Sequence, residues 1–454
     1  LKEKKQAVCM KDSCRLFINR LKLSETTIIA AASVVVGICA AAGVWLFQRL
    51  IKLTNAFYFG EIGAEISRYG EWTIILVPCL GGLVVGLLAR YFIYVHKEKF
   101  AGVAEIKRSV ALENGRLNYR RAPARVIASI LSIGAGASVG PEDPAVQIGS
   151  NIGSMVSQKL CLTPDRVRAL TAAGAAGAIA ATFNAPLAGM FFAMEVILGS
   201  LGGRSFGFLG LAAFASATFT YAVVGREPAF PVPQYTYHSM WELPLYFILG
   251  LLTGPVAALY SRLVFSMRDR FSKWKVPALV KPVFTGFVLG LVAIWLPQVM
   301  GFGYDTIGSV LQGAMPPLSI LVGLFIAKLL LTPFCLGGGF FGGVFAPALF
   351  IGSMFGAVYG VIVQGLFPGL QLEPSAFSLV GMAAMLAGAL HAPITAIFVM
   401  FEMTRNYQII LPLLFATTIS LAVSQKLERE SVYTIGLARA GIHLEKKPEE
   451  DGCK

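Results

Sequence analysis

The chain has 454 residues, 56% of them hydrophobic and 14% charged, with a formal net charge of +13 and a mean hydropathy of +0.69. Soluble domains carry about 25% charged residues, so this chain lacks the polar surface to cover itself in water, and a soluble fold is excluded. The excess positive charge does not point to nucleic acid, because the basic residues gather at the ends of apolar runs rather than in one patch.

Residues 1–25 form a basic segment, with Lys2, Lys4, Lys5, Lys11, Arg15, Arg20 and Lys22 ahead of the first apolar run. By the positive-inside rule this segment lies in the cytoplasm. The run at 26–48 is too long, and too far from the N-terminus, for a cleaved signal peptide. A hydrocarbon core takes roughly 20 residues of helix. Uncharged runs of that order follow at 169–194, 205–225, 243–261, 282–304, 306–327, 374–401 and 406–425, and residues 329–372 run uncharged for 44 positions. The expected protein is an integral, multi-pass helical membrane protein of the plasma (inner) membrane, with both termini cytoplasmic. Two further runs, 126–141 and 144–158, are shorter and flank Glu142 and Asp143. Short apolar helices around a glycine-rich break read as interrupted helices, tolerated at membrane depth only where they line an enclosed cavity. That places a carboxylate pair near mid-membrane, where an ionisable group marks function.

One pattern occurs twice. Residues 140–153 (GPEDPAVQIGSNIG) and 343–356 (GVFAPALFIGSMFG) agree without gaps at seven of fourteen positions, among them Gly140/Gly343, Pro144/Pro347, Gly149/Gly352 and Gly153/Gly356. Residues 183–196 answer 390–403, pairing Pro186 with Pro393 and Glu195 with Glu402, so the offsets are 203 and 207. The chain therefore divides into a first membrane repeat at 26–225, a polar, proline-rich linker at 226–240, a second membrane repeat at 241–437 and a short charged cytoplasmic tail at 438–454, too short for a large regulatory domain. Duplicated halves with glycine- and proline-broken apolar segments at matching positions point to a transporter's substrate site.

Each copy reads as a glycine-rich turn (134–140 and 337–343), a proline within the first helical turn, then an apolar helix. Proline near a helix start is harmless, since its missing N–H has no intrahelical partner there. Glycines let the backbone approach a ligand, and the free N–H groups with the helix dipole make an anion site. Two such starts brought together would surround an anion with amide donors and no fixed cation, which suits rapid release. A nucleotide loop is disfavoured, because no GK[ST] ending follows either turn. Seven cysteines without a CxxC and four histidines without an HxxxH give no metal spacing, and no metal site is expected. An enzyme using Glu142 and Asp143 as an acid–base pair is disfavoured, since adjacent residues at a helix start diverge and no Ser, His or Cys constellation lies nearby.

GPEDP (140–144), GVFAP (343–347), FNAPLAG (183–189) and FEMTRNYQIILP (401–412) together resemble the signatures of the CLC family of chloride channels and proton-coupled anion exchangers, in the family's order, from about residue 26 to 437. The resemblance implies an all-α polytopic membrane fold of two inverted-topology repeats of tilted and broken helices. It also implies a homodimer with one anion pathway per subunit, and no large cofactor. Glu142 matches the gating glutamate, whose carboxylate occupies an anion site when ionised and leaves when protonated, so protons are a partner alongside the anion. The backbone at Gly140, Glu142, Asp143, Val344 and Phe345 matches the cradle of the anion. Tyr433 matches the tyrosine whose hydroxyl donates to the central anion; read alone, its lesser alternative is an interfacial aromatic anchor. Arg125 matches a basic position leading into the glutamate motif, either lending positive potential to the pathway or standing as a solvated loop charge.

Three departures bear on function. The family's GSGIP reads FAGVA at 100–104, so Ala101 stands where a serine would donate to the anion, and discrimination among anions should loosen. Pro141 and Asp143 replace a basic residue and a glycine around Glu142. A second carboxylate there opposes ionisation of the first, unless Asp143 turns to cap a helix-start amide. Val196 falls where exchangers carry an inner proton-transfer glutamate, while Glu195 and Glu402 read as braces of the fold. The reading that follows is transmembrane transport of a small inorganic anion, chloride first, passive or weakly proton-coupled. The alternative is a proton-coupled exchanger of chloride, bicarbonate or nitrate.

Overall fold

The computed structural model describes residues 24–63, 65, 70–93, 102–203, 205–225, 235 and 242–443. Ala101, the basic segment up to residue 23, the linker apart from Tyr235 and the tail beyond residue 443 lie outside them. The described residues form seventeen α-helices and no strand. The first half holds α1 (Glu25–Asn55), α2 (Leu76–Leu88), α3 (Val103–Leu112), α4 (Ala122–Gly134), α5 (Glu142–Lys159), α6 (Pro164–Phe183), α7 (Pro186–Phe192) and α8 (Phe206–Val223). The second holds α9 (Glu242–Lys273), α10 (Val280–Ala293), α11 (Tyr304–Leu311), α12 (Leu318–Gly338), α13 (Phe345–Leu366), α14 (Pro374–Leu390), α15 (Pro393–Thr404), α16 (Ile410–Leu427) and α17 (Ile435–Arg439).

Among the described residues, seven helical stretches are long and apolar enough to cross a membrane, the longest being Glu25–Ile62 with 38 residues. At about 1.5 Å per residue, that stretch far exceeds a hydrocarbon core of about 30 Å and must tilt to bury its apolar length. Other runs break. The 44 uncharged positions at 329–372 resolve into α12 and α13, separated at Gly339, where φ is 108°. The runs at 169–194 and 374–401 break at Asn184 and His391, both left-handed, with φ of 58° and 57°. These two residues occupy the same repeat position, 207 apart. Each closes one helix, and a proline starts the next two residues later.

Contacts across the seam are reciprocal, as a two-fold relation between the repeats requires. Gly140 and Gly343 form an antiparallel bridge. Phe191 stacks on its counterpart Phe398, with 4.4 Å between ring centroids. The Glu402 carboxylate accepts from the amides of Leu187 and Ala188 at 3.0 and 2.8 Å. Its counterpart Glu195 accepts from those of Ile394 and Thr395 at 3.3 and 2.8 Å. Each half thus supplies the carboxylate that caps a helix start in the other, stabilising donors with no partner inside their own helix.

Equivalent glycines set equivalent crossings within each repeat. A Cβ on Gly149 would lie 2.1 Å from the Gly174 carbonyl, and one on Gly352 would lie 2.4 Å from that of Gly381. Membrane helices approach this closely only over small residues. The alanine-rich α6, favourable as helix, is buried along nearly all of its length. Outward faces are apolar, as with Phe214 on α8, Phe287 on α10 and Phe415 on α16.

Candidate functional site

The site is built on the turn between α4 and α5. Gly136, at φ 88°, accepts from the Gly301 amide at 2.9 Å. Gly140 then exchanges two backbone hydrogen bonds with Gly343, at 2.8 and 2.7 Å. The bridge brings the starts of α5 and α13 face to face, and it leaves no room for side chains. A Cβ on Gly140 would lie 2.5 Å from Glu142 Oε2, and one on Gly343 would lie 2.9 Å from Asp143 Cγ.

Glu142 is wholly buried. Its Oε2 accepts from the Ala346 amide at 3.1 Å, and its Oε1 accepts from the Tyr304 hydroxyl. Ala346 is the second residue of α13, so the glutamate of one repeat caps the helix start of the other. Asp143 lies beside it, also buried. Its Oδ1 accepts from the Tyr433 hydroxyl at 2.6 Å, and the Val344 amide points at the same carboxylate. Its Oδ2 faces the start of α3, 3.9 Å from where a Cβ on Gly102 would lie. Behind Val344, the Tyr260 hydroxyl donates to the Val344 carbonyl at 3.0 Å. Amide donors, a helix dipole and two phenols therefore converge on negative charge, which is what a weakly held anion needs. Protonating either carboxylate removes the charge these donors are arranged around.

Gly140, Glu142, Asp143, Val344 and Tyr433 thus come together in one place. Phe345 adds a buried ring, 5.2 Å from Phe183 between centroids. Gly102, next to Ala101 in sequence, faces the same place. Tyr433 is no interfacial anchor: it is 4% exposed, and the Val432 amide ties its segment to the Ala389 carbonyl at 3.0 Å. Nor is Arg125 a solvated loop charge. It sits on α4, nearly buried, and pairs with Glu105 of α3 at 2.6 Å. Val196 is elsewhere, buried in the apolar core within the π-helix Ala193–Leu198. Among the described residues no group of three His, Cys, Asp or Glu is placed to hold a metal.

Sequence reasoning missed Tyr304, Tyr260, Ala346 and Lys328. Lys328 is wholly buried. Its ammonium donates to the Val299 and Gly301 carbonyls at 2.9 and 2.6 Å and stands 4.9 Å from the Phe350 ring centroid. A buried ammonium is tolerable only when so paired, and here it fixes the loop that leads to Tyr304. Tyr304→Phe is expected to speed anion flux by roughly ten- to hundredfold, the equivalent of about 1.5–3 kcal/mol for one hydrogen bond to a charged acceptor. Unchanged flux, measured in liposomes, would show that Tyr304 does not hold Glu142 in place.

A family model described as voltage gated chloride channel matches residues 81–425, which include both copies of the repeated motif. The chain belongs to the CLC family. Chloride channel protein CLC-f of Arabidopsis thaliana is 35% identical over 86% of the chain, which spans 52% of that protein. The H(+)/Cl(-) exchange transporter ClcA of Vibrio parahaemolyticus is 31% identical over 93% of the chain and 92% of the transporter. A solved slow cyanobacterial Cl-/H+ antiporter superposes with a TM-score of 0.82 at 25% identity, over 91% of the chain and 97% of the antiporter. The chain is accordingly a multi-pass membrane protein of an anion-transporting family, and not an enzyme.

Proposed function

We propose that the chain carries a small inorganic anion, chloride first, through a pathway gated by Glu142, passively or with weak coupling to protons. The observation that carries this reading is the seat of the Glu142 carboxylate: buried, on the Ala346 amide, at a helix start that would equally hold a free anion. A carboxylate is the natural competitor for an anion site, and protonation ends the competition. Gly140, Asp143, Val344, Phe345 and Tyr433 complete the lining on this reading. Ala101, lacking a hydroxyl, admits bicarbonate or nitrate beside chloride. Val196 supports weak coupling. The competing reading, a proton-coupled exchanger, is favoured by the names of the ClcA relative and the cyanobacterial antiporter.

The proposal extends to the assembly and its setting. Two copies pair in the plasma (inner) membrane, each with its own pathway, with both termini cytoplasmic and the repeats at 26–225 and 241–437. Chloride efflux from liposomes holding the purified protein tests the reading: efflux well above that of protein-free liposomes is expected. Efflux no faster than the protein-free control, from both the parent and Glu142→Gln, would refute it.

A further inference from the structure

Asp143 has a position of its own. Tyr433, whose hydroxyl the family resemblance assigns to an anion, donates instead to Asp143 Oδ1 at 2.6 Å. The Val344 amide at the second helix start points at the same carboxylate. The other oxygen faces Gly102 at the start of α3, next to the position where a serine hydroxyl is replaced by Ala101. Donors from two separate parts of the chain, the segment before α17 and the start of α13, therefore meet on one carboxylate, and the start of α3 closes its other side. Glu142, one residue earlier, uses a different set, Ala346 and Tyr304. The two carboxylates are seated side by side on distinct donors rather than sharing one.

We propose that Asp143 is a second gate in series with Glu142, a tethered anion seated between Tyr433 and the starts of α13 and α3, so that a free anion passes only when Asp143 is protonated or swung aside. The inference rests on the anion-pathway reading of the preceding section. A carboxylate in this seat competes with a free anion by charge and by volume, and its tether gives it a high effective concentration. Taking up one proton from solvent makes Asp143 neutral and weakens its hold on Tyr433 and Val344, since charge-assisted hydrogen bonds are roughly twice as strong as neutral ones.

The charged and titratable groups around this seat are few. Glu142 lies on the same helix, and Tyr433 donates directly. Tyr304 faces Glu142 from α11, and Tyr260 reaches Val344 from α9. On α12, Lys328 is turned to the carbonyls of Val299 and Gly301. Glu105 of α3 pairs with Arg125. In their unperturbed forms carboxyl groups ionise near pH 4 and phenols near pH 10, so the two carboxylates are the groups through which acid acts on this seat. Two carboxylates in series make the flux fall more steeply with rising pH than one would.

Chloride flux from proteoliposomes across about pH 4 to 8, a range that begins near the unperturbed carboxylate value, tests the proposal with the parent, Glu142→Gln, Asp143→Asn and the double variant. Each single variant is expected to be faster than the parent at neutral pH and still to slow as pH rises, and the double variant to be fast and flat. Glu142→Gln that is already flat, with no further gain from adding Asp143→Asn, overturns the second gate and leaves Glu142 as the sole one. No flux from any of the four proteins, each eluting as a single species, overturns the anion-pathway reading itself. Asp143→Gly, which restores the family's residue, gives a second measurement that does not depend on transport. Chloride titrated calorimetrically into the detergent-solubilised protein at neutral pH should bind Asp143→Gly at least tenfold more tightly than the parent, a difference of about 1.4 kcal/mol. Equal affinities overturn the proposal.

Discussion

Glu142→Gln is expected to raise anion flux at neutral pH by roughly tenfold or more. The parent carboxylate holds two hydrogen bonds, from the Ala346 amide and the Tyr304 hydroxyl. Bonds to a charged acceptor contribute about 1.5–3 kcal/mol each, and a neutral amide retains roughly half of that. The loss across two bonds is then about 1.5–3 kcal/mol, which corresponds to roughly a ten- to hundredfold change in the ratio of displaced to seated side chain. The direction with pH follows from charge. Protonation at low pH neutralises Glu142 and frees the pathway, so parent flux rises as pH falls. Glutamine cannot titrate, so the variant no longer closes at this residue at high pH and its profile is shallower; the slope that remains belongs to Asp143. Flux like the parent's at every pH from about 4 to 8, starting near the unperturbed glutamate value of about 4.3, would mean that the gate is not Glu142.

The repeat was legible because glycine and proline answer backbone demands that survive the loss of all other likeness. Gly140 and Gly343 must both lack a Cβ for the bridge to close, and Pro186 and Pro393 each open a short helix. Glu195 and Glu402 were legible as braces, since a carboxylate in a long apolar run needs donors; which helix each braced had to come from the fold. Other features leave weaker marks. The amide of Ala346 is a donor that any residue but proline would supply, so its identity carries no signal. Tyr304 and Tyr260 are single hydroxyls in apolar runs; Tyr304 acquires meaning only when the two repeats meet, and Tyr260 only when α9 packs behind Val344. Asp143 could be read as repelling Glu142 or as a cap. The choice depended on Tyr433, 290 positions away. Lys328 was the one position with a plain mark that went unread, a single charge between the uncharged runs at 306–327 and 329–372.

The same geometry bears on proton coupling. On the proposed reading, a proton that reaches Glu142 from the opposite side of the membrane needs a group to carry it partway, and the position to which the family resemblance gives that role holds Val196, 1% exposed in the apolar core. Burying an unpaired charge there is costly. Neighbouring carboxylates have other partners. Glu195 accepts from the amides of Ile394 and Thr395 and from the Thr395 hydroxyl, the last at 2.7 Å. Glu105, on the helix packed against Ala193–Leu198, pairs with Arg125. A chloride gradient across proteoliposomes is therefore expected to drive little uphill proton movement, while external acid still speeds flux by protonating Glu142. Simultaneous chloride and proton recording separates the two effects in one preparation. Val196→Glu is the weaker test, because a new carboxylate would arrive without donors to stabilise it. The decisive measurement is on the parent: robust uphill proton pumping, abolished by Glu142→Gln, would replace the passive pathway with an exchanger that carries its inner proton by a route other than residue 196.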